Sequence, residues 1–245
     1  MRLPLRGEGM RNVHVDGHPK LKGVYWLRLE DSSKRLATLN LDPGRSVYGE
    51  RLIRVERKEY RVWDAYRSKL AAAILKGAES VPVYPGAKVL YLGSASGTTA
   101  SHVSDIVAED GAVYCVDFAS RAMRELISSL CADRRNVYPI LEDARFPERY
   151  SSIVGAADSI YCDIAQPEQA RILADNADLY LKKGSGSMLA IKSRSVDVTL
   201  SPSDVFDREI QVLSNRGFTV RSVLRLEPFD RDHAMVTMIY KGAHR

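Results

Sequence analysis

Residues 88–107, KVLYLGSASGTTASHVSDIV, pass from an apolar run through small residues into a helical pattern. Gly93, Ala95 and Gly97 have the G-x-G-x-G spacing, in which absent or minimal side chains let the backbone approach a ligand closely. The expected ligand is a cofactor lying on this turn, although an ordinary tight strand–helix turn uses the same residues. A nicotinamide-dinucleotide fingerprint is disfavoured: the third position after Gly97 is Ala100, and Thr98 and Thr99 intervene. Twenty residues beyond Gly97, Asp117 ends the second apolar run, where a carboxylate can accept hydrogen bonds from both ribose hydroxyls of an adenosyl cofactor. Glu142-Asp143-Ala144 follows the third run and offers an acid and a small residue to an adenine edge. Asp163-Ile164-Ala165-Gln166 follows the fourth. Ligands of doubly wound sheets sit at the carboxyl ends of the strands, so these four segments are expected to converge on one crevice.

The elements that must hold them are legible as alternating strands and helices. Predicted strands are Lys88–Leu92, Ala112–Phe118, Val137–Leu141, Ser159–Cys162, Ser187–Ile191, Thr219–Leu226 and Ala234–Tyr240. Their apolar runs are too continuous for a half-exposed sheet and suit a parallel sheet covered on both faces. Predicted helices are Thr99–Val107, Arg121–Leu130 after a Ser120 cap, Glu168–Leu181, and Asp204–Arg216 after Ser203. No helix separates the last two strands, so the series ends in a hairpin. The expected fold is therefore α/β and Rossmann-like, a mostly parallel sheet of seven strands with a terminal hairpin over residues 85–245.

Ahead of it, residues 21–84 read as a small β module with strands Val24–Leu29, Leu36–Leu41 and Glu59–Trp63, and a connecting helix over Arg67–Lys76 closed by Gly77. Residues 1–20 lack periodicity and are expected to be flexible. Apolar residues at 45% and charged residues at 27% exclude wholesale disorder and imply a packed core. No apolar run approaches the roughly 20 residues of a membrane span, and the first residues lack a secretory signal pattern, so a cytoplasmic protein is expected. Cys115, Cys131 and Cys162 form no CxxC pair and are expected to be reduced thiols; no metal-ligand spacing is present. Residues 1–85 carry 17 Lys/Arg against 10 Asp/Glu and residues 86–245 carry 19 against 21, so the +5 net charge is concentrated in the first third. Such an excess hints at a polyanion there.

The strings VYGER (47–51), YRVWDAYRSKLAAAIL (60–75), VLYLGSASGTTASHVSDIV (89–107), YCDIAQPEQARIL (161–173), AIKSRSVDVT (190–199) and RDHAMV (231–236) closely resemble fibrillarin, specifically the fibrillarin-like proteins of archaea. The resemblance runs from about residue 20 onward, and no RGG repeat of the eukaryotic type precedes it. It implies an S-adenosylmethionine-dependent RNA 2′-O-methyltransferase fold and activity, directed by a box C/D guide RNA toward rRNA or tRNA. The implied partners are a Nop5-type scaffold protein and an L7Ae-type protein. The implied cofactor contacts are Thr98, Thr99, Asp117, Phe118, Asp143, Ala144, Asp163 and Gln166, together with the glycine loop. Position 117 is Asp where the family usually has Glu, and Asp64-Ala65 stand where it more often has Asn-Pro. Lys69, Asp163, Lys192 and His233 match the Lys-Asp-Lys-His set associated with the family's catalysis. Two alternatives keep the fold and change the role: a non-catalytic assembly subunit, or a stand-alone nucleotide or small-molecule methyltransferase. The modest charge fits an enzyme whose grip on RNA comes largely from partners.

Overall fold

The computed structural model describes residues 13–242. The chain first forms β1 (His14–Gly17), β2 (Val24–Arg28), β3 (Lys34–Leu39), β4 (Leu52–Val55) and β5 (Lys58–Val62), an antiparallel sheet in the order β1-β2-β3-β5-β4. Asp31 accepts the Ser33 N–H at 2.8 Å and reverses the chain between β2 and β3. Two of these strands were not expected. β1 lies within the stretch read as flexible, of which residues 1–12 fall outside the described residues, and β4 has the sequence LIRV. Each is four residues long, too short for an alternating pattern to show, and each is recruited by pairing with a longer neighbour.

Helix α1 (Lys69–Leu75) starts at the Ser68 cap, whose Oγ accepts the Ala71 N–H at 3.3 Å. Leu70 to Ile74 are all buried, so Lys69 stands at the first position of a helix that cannot rotate without exposing its core face.

The second sheet contains β6 (Lys88–Leu92), β7 (Ala112–Asp117), β8 (Val137–Leu141), β9 (Ala157–Cys162), β10 (Leu181–Lys192), β11 (Phe218–Arg225) and β12 (His233–Tyr240), in the order β11-β12-β10-β9-β6-β7-β8. β8, β7, β6, β9 and β10 run parallel; β12 is antiparallel to both of its neighbours. The connecting helices are α2 (Thr98–Val107), α3 (Ser120–Leu126) continued by a π turn over Ile127–Cys131, α4 (Ser151–Val154), α5 (Gln169–Tyr180), α6 (Ser193–Val196) and α7 (Pro202–Asn215). In β6, Val89 and Tyr91 enter the core shared with α1 and α2, while Leu90 and Leu92 enter the core shared with α5 and α7. This is why the strand reads as a continuous apolar run.

Two helix starts differ from expectation. Ala119 occupies the cap position of α3 and Ser120 is its first residue; the Asp117 carboxylate accepts the Ala119 N–H at 2.9 Å instead of a serine cap. Ser201, not Ser203, caps α7, because Pro202 is suited to the first helical position and sets the cap two residues earlier.

The small sheet is fastened to α2 by a buried polar network. Asp105 of α2 accepts hydrogen bonds from Arg61 at 2.8 Å, Arg134 at 2.5 Å and the Thr38 hydroxyl at 2.6 Å. His102 lies one turn away between the Thr38 hydroxyl (2.8 Å) and the Tyr48 hydroxyl (2.7 Å), stacked on Trp63. Burial, reinforced by Arg61 and Arg134, drives its pKa well below the usual imidazole value, so it is neutral. Cys115 and Cys162 are buried and Cys131 is half-buried, all three as free thiols. Burial pushes Cys131 up to about 11 and Cys162 up to about 12. Among the described residues no helix is long and apolar enough to cross a membrane.

Candidate functional site

β7 and β8 lie on one side of β6, and β9 and β10 on the other, so the connectivity reverses between β6 and β9. At the carboxyl ends of these strands a crevice of about 220 Å³ opens. Gly93, Ala95, Asp117, Phe118, Glu142, Ala144, Asp163, Gln166 and Lys192 line it, with Val116, Ile164 and Ala165. Gly93 has φ +80°, and a Cβ on it would lie 2.8 Å from the Asp163 carbonyl oxygen. The end of β6 and the end of β9 can therefore meet only through a glycine. Gly93→Ala is expected to cost about 2 kcal/mol or more from positive φ and contact together, read by urea unfolding; a loss below about 0.5 kcal/mol would show that the loop relaxes freely.

Asp117 ends β7 with both carboxylate oxygens occupied once: Oδ2 accepts the Ala95 N–H at 2.9 Å and Oδ1 the Ala119 N–H at 2.9 Å. Each oxygen retains acceptor capacity toward the crevice. Phe118 next to it is 64% exposed and presents an apolar face at the crevice. Ala144 and Ile164 supply buried apolar surface, and Gln166 an amide.

Four of the nominated cofactor contacts do not line the crevice. Gly97 has φ +95°, and a Cβ there would lie 3.2 Å from Leu130, so its hydrogen serves close packing on α3 and the π turn. Thr98 is the half-buried first residue of α2. Thr99 is buried and donates its hydroxyl to Ser68 Oγ at 2.9 Å, joining α2 to the cap of α1. Asp143 is held by Arg145, whose Nε and a terminal nitrogen donate to it at 2.9 and 2.6 Å, and these bonds lower its pKa below the ordinary carboxylate value. The i to i+2 Asp-x-Arg spacing was the signal that this carboxylate had a partner of its own.

Beside the crevice, four side chains from distant parts of the chain come together. Lys192, the last residue of β10, donates to the Asp163 carbonyl oxygen at 2.7 Å, and its Nζ lies 2.9 Å from Asp163 Oδ1. Lys69 Nζ lies 3.3 Å from that same oxygen and 3.5 Å from Asp230 Oδ2. The antiparallel register of β10 and β12 sets Lys192 opposite His233. His233 Nδ1 lies 2.9 Å from Asp230 Oδ1 and 2.5 Å from the Arg231 carbonyl oxygen. Both neighbours are acceptors, so Nδ1 carries a proton and donates to them. Burial lowers the Lys69 pKa, but Asp163 and Asp230 outweigh it and the ammonium is held above the ordinary lysine value. Asp230 closes the chain of charges between Lys69 and His233 and was not nominated from sequence. The acid three residues before His233, on the turn leading into β12, was the available signal.

The fibrillarin family model matches residues 15–242. The chain belongs to the fibrillarin family. A curated fibrillarin-like rRNA/tRNA 2′-O-methyltransferase of Aeropyrum pernix is 53% identical over 229 residues, 94% of this chain and 98% of the relative. The crystal structure of Aeropyrum pernix fibrillarin in complex with natively bound S-adenosyl-L-methionine superposes with a TM-score of 0.87 at 53% identity, covering 93% of this chain and 99% of that one. A fibrillarin in complex with Nop5p superposes with a TM-score of 0.78 at 37% identity over 90% of this chain and 98% of that one. The Rossmann-like methyltransferase sheet and the separate antiparallel sheet expected from the sequence are those of this family. The structure brings Lys69, Asp163, Lys192 and His233 into one cluster.

Proposed function

We propose that this fibrillarin-family chain transfers the methyl group of S-adenosylmethionine to ribose 2′-hydroxyls of rRNA and tRNA, as the catalytic subunit of a box C/D guide ribonucleoprotein. The observation that carries the reading is the position of Asp163: it borders the cofactor crevice and holds both Lys192 and Lys69. Cofactor and nucleophile sites thus share a wall.

The crevice residues fit the group. Asp117 offers two acceptors to the ribose hydroxyls, Phe118 and Ile164 flank a base, and Ala144 leaves room at its edge. When bound, the cofactor supplies a methyl activated by a sulfonium, so the protein must align a hydroxyl oxygen in line and remove its proton. Lys192 and Lys69 share one carboxylate oxygen, but only Lys69 has a second acid, Asp230. Lys192, which lines the crevice, is therefore the group placed to orient the 2′-hydroxyl and take its proton, while Lys69, held above the ordinary lysine value by Asp163 and Asp230, remains an ammonium. His233 fixes Asp230.

In this reading residues 85–245 form the methyltransferase domain, and residues 21–84 present Lys69 to it. The complex of a related fibrillarin with Nop5p supports a Nop5-type scaffold as partner; guide RNA and an L7Ae-type protein follow from the family resemblance. The protein works in the cytoplasm beside its RNA.

Asp230→Asn is expected to lower kcat about tenfold and to move the alkaline limb of the pH–rate profile to lower pH, since Lys69 loses one of the two acids that raise its pKa. An unmoved alkaline limb would remove Lys69 from the mechanism. The function itself is tested by mapping ribose methylation in cells with and without the chain. Loss of guide-matched sites is expected, and an unchanged map contradicts the assignment.

A further inference from the structure

A groove of about 500 Å³ lies between the small sheet and the segment that leads into α1, outside the cofactor crevice and unused by the chemistry above. Its walls carry four exposed cations, Lys34, Arg35, Arg51 and Arg67, and two acids, Glu50 and Asp64. Glu50 is already spent: its carboxylate pairs with Arg61 at 2.6 Å and accepts the N–H groups of Val47 and Tyr48. The groove is therefore cationic, and it holds part of the N-terminal charge excess.

Arg67 is pre-set for an anion. Its guanidinium donates to the Tyr48 carbonyl at 2.8 Å and lies 4.7 Å over the Tyr48 ring, which fixes the plane and leaves most of its donors unused. Tyr66, 70% exposed, is braced edge-to-face by Phe229 at 5.2 Å. Two of its lining residues stand next to the cluster along the chain: Arg67 precedes Lys69 by two residues and Phe229 immediately precedes Asp230.

We propose that this groove seats the sugar–phosphate backbone of the RNA strand being methylated, with Arg35 and Arg67 on phosphates flanking the target ribose and Tyr66 packed against the adjoining nucleoside. The proposal rests on the methyltransferase reading and adds the path of the substrate. Spare guanidinium donors beside an exposed aromatic match a polyanion that also offers flat faces. A protein partner is the alternative that the experiment separates.

The test is methyl transfer to a guide-matched RNA by the reconstituted particle, containing the full chain, over a range of salt. Arg35→Ala combined with Arg67→Ala is expected to raise KM for target RNA about tenfold with kcat within about twofold. The log–log salt slope of apparent affinity should fall by about 1.4 to 1.8, two phosphate contacts at roughly 0.7–0.9 each. Cofactor affinity and thermal midpoint should not change. An unchanged KM and slope overturns the proposal, as does loss of scaffold co-purification at unchanged slope, which would make the groove a protein surface. Photo-cross-linking from a nucleotide next to the modified position reads the path without requiring turnover. Adducts on the Tyr66 peptide are expected, including in particles that carry out no transfer, so a failure of the chemistry is distinguishable from a failure of the groove; adducts confined to other peptides sink it.

Discussion

Lys192→Ala is expected to lower kcat for ribose methylation by about 10²- to 10⁴-fold, the range of a positioned general base, while cofactor affinity stays within about threefold. The expectation comes from the sharing of Asp163 Oδ1 between two ammonium groups, of which only Lys69 has Asp230 in reserve. Lys192→Arg separates charge from proton transfer. Arginine restores a cation beside Asp163 but does not release its proton in a protein, so the variant should bind cofactor and RNA normally and still be slow. Single-turnover rates in the reconstituted particle, with cofactor binding by calorimetry, provide the check. An Lys192→Arg enzyme within about fivefold of the parent rate would assign Lys192 an electrostatic role only.

The largest effect on stability is expected at Arg61. Its side chain is fully buried and reaches from β5 to Glu50 at 2.6 Å, Asp105 at 2.8 Å and the Ser101 hydroxyl at 2.7 Å. Arg61→Met keeps much of the volume and takes the cation from two acids, leaving Glu50 without one, and removing one partner of a buried pair typically costs about 3–5 kcal/mol. In a chain of this size that is roughly a 10 °C fall in Tm. Asp105 retains Arg134, which limits the damage on the α2 side. Glu50 supplies a pH signature. Burial raises its pKa, but Arg61 and the N–H groups of Tyr48 and Val47 outweigh burial and hold it below the ordinary value of 4.5. The stability it contributes is present in full above the unfolded carboxylate's pKa and is lost as pH falls through the lower folded value. In Arg61→Met the Arg61 charge is lost and only the N–H groups still oppose burial, so the destabilisation relative to the parent should be greatest near neutral pH and shrink on acidification below about pH 5. A difference that does not vary with pH would show that Glu50 is not the stranded group.

The parallel sheet was legible because strands such as KVLYL are buried on both faces, which leaves a continuous apolar run that few other arrangements require. The ends of those strands were legible for the same reason, and with them Gly93, Asp117 and Asp163. Four-residue strands left no periodicity to read. Gly97 and Thr99 sit in the motif that announced the crevice, yet their side-chain positions face α3 and Ser68. A loop motif records which backbone must bend; which residues meet the ligand depends on the rotation of the helix that follows. Residue spacing alone did not reveal the Lys69–Asp163–Lys192–His233 cluster, since it depends on the β10–β12 register and the buried face of α1. Family resemblance supplied those four. Asp230 needed the three-dimensional arrangement.

The central claim is that the crevice and the cluster beside it act on one ribose hydroxyl. Its most direct test follows labelled methyl from S-adenosylmethionine into a guide-matched RNA and into the same RNA lacking only the 2′-hydroxyl at the target nucleotide. Label on the first and none on the second is the predicted result. Equal label on both, or none on either while the cofactor binds, would contradict the account.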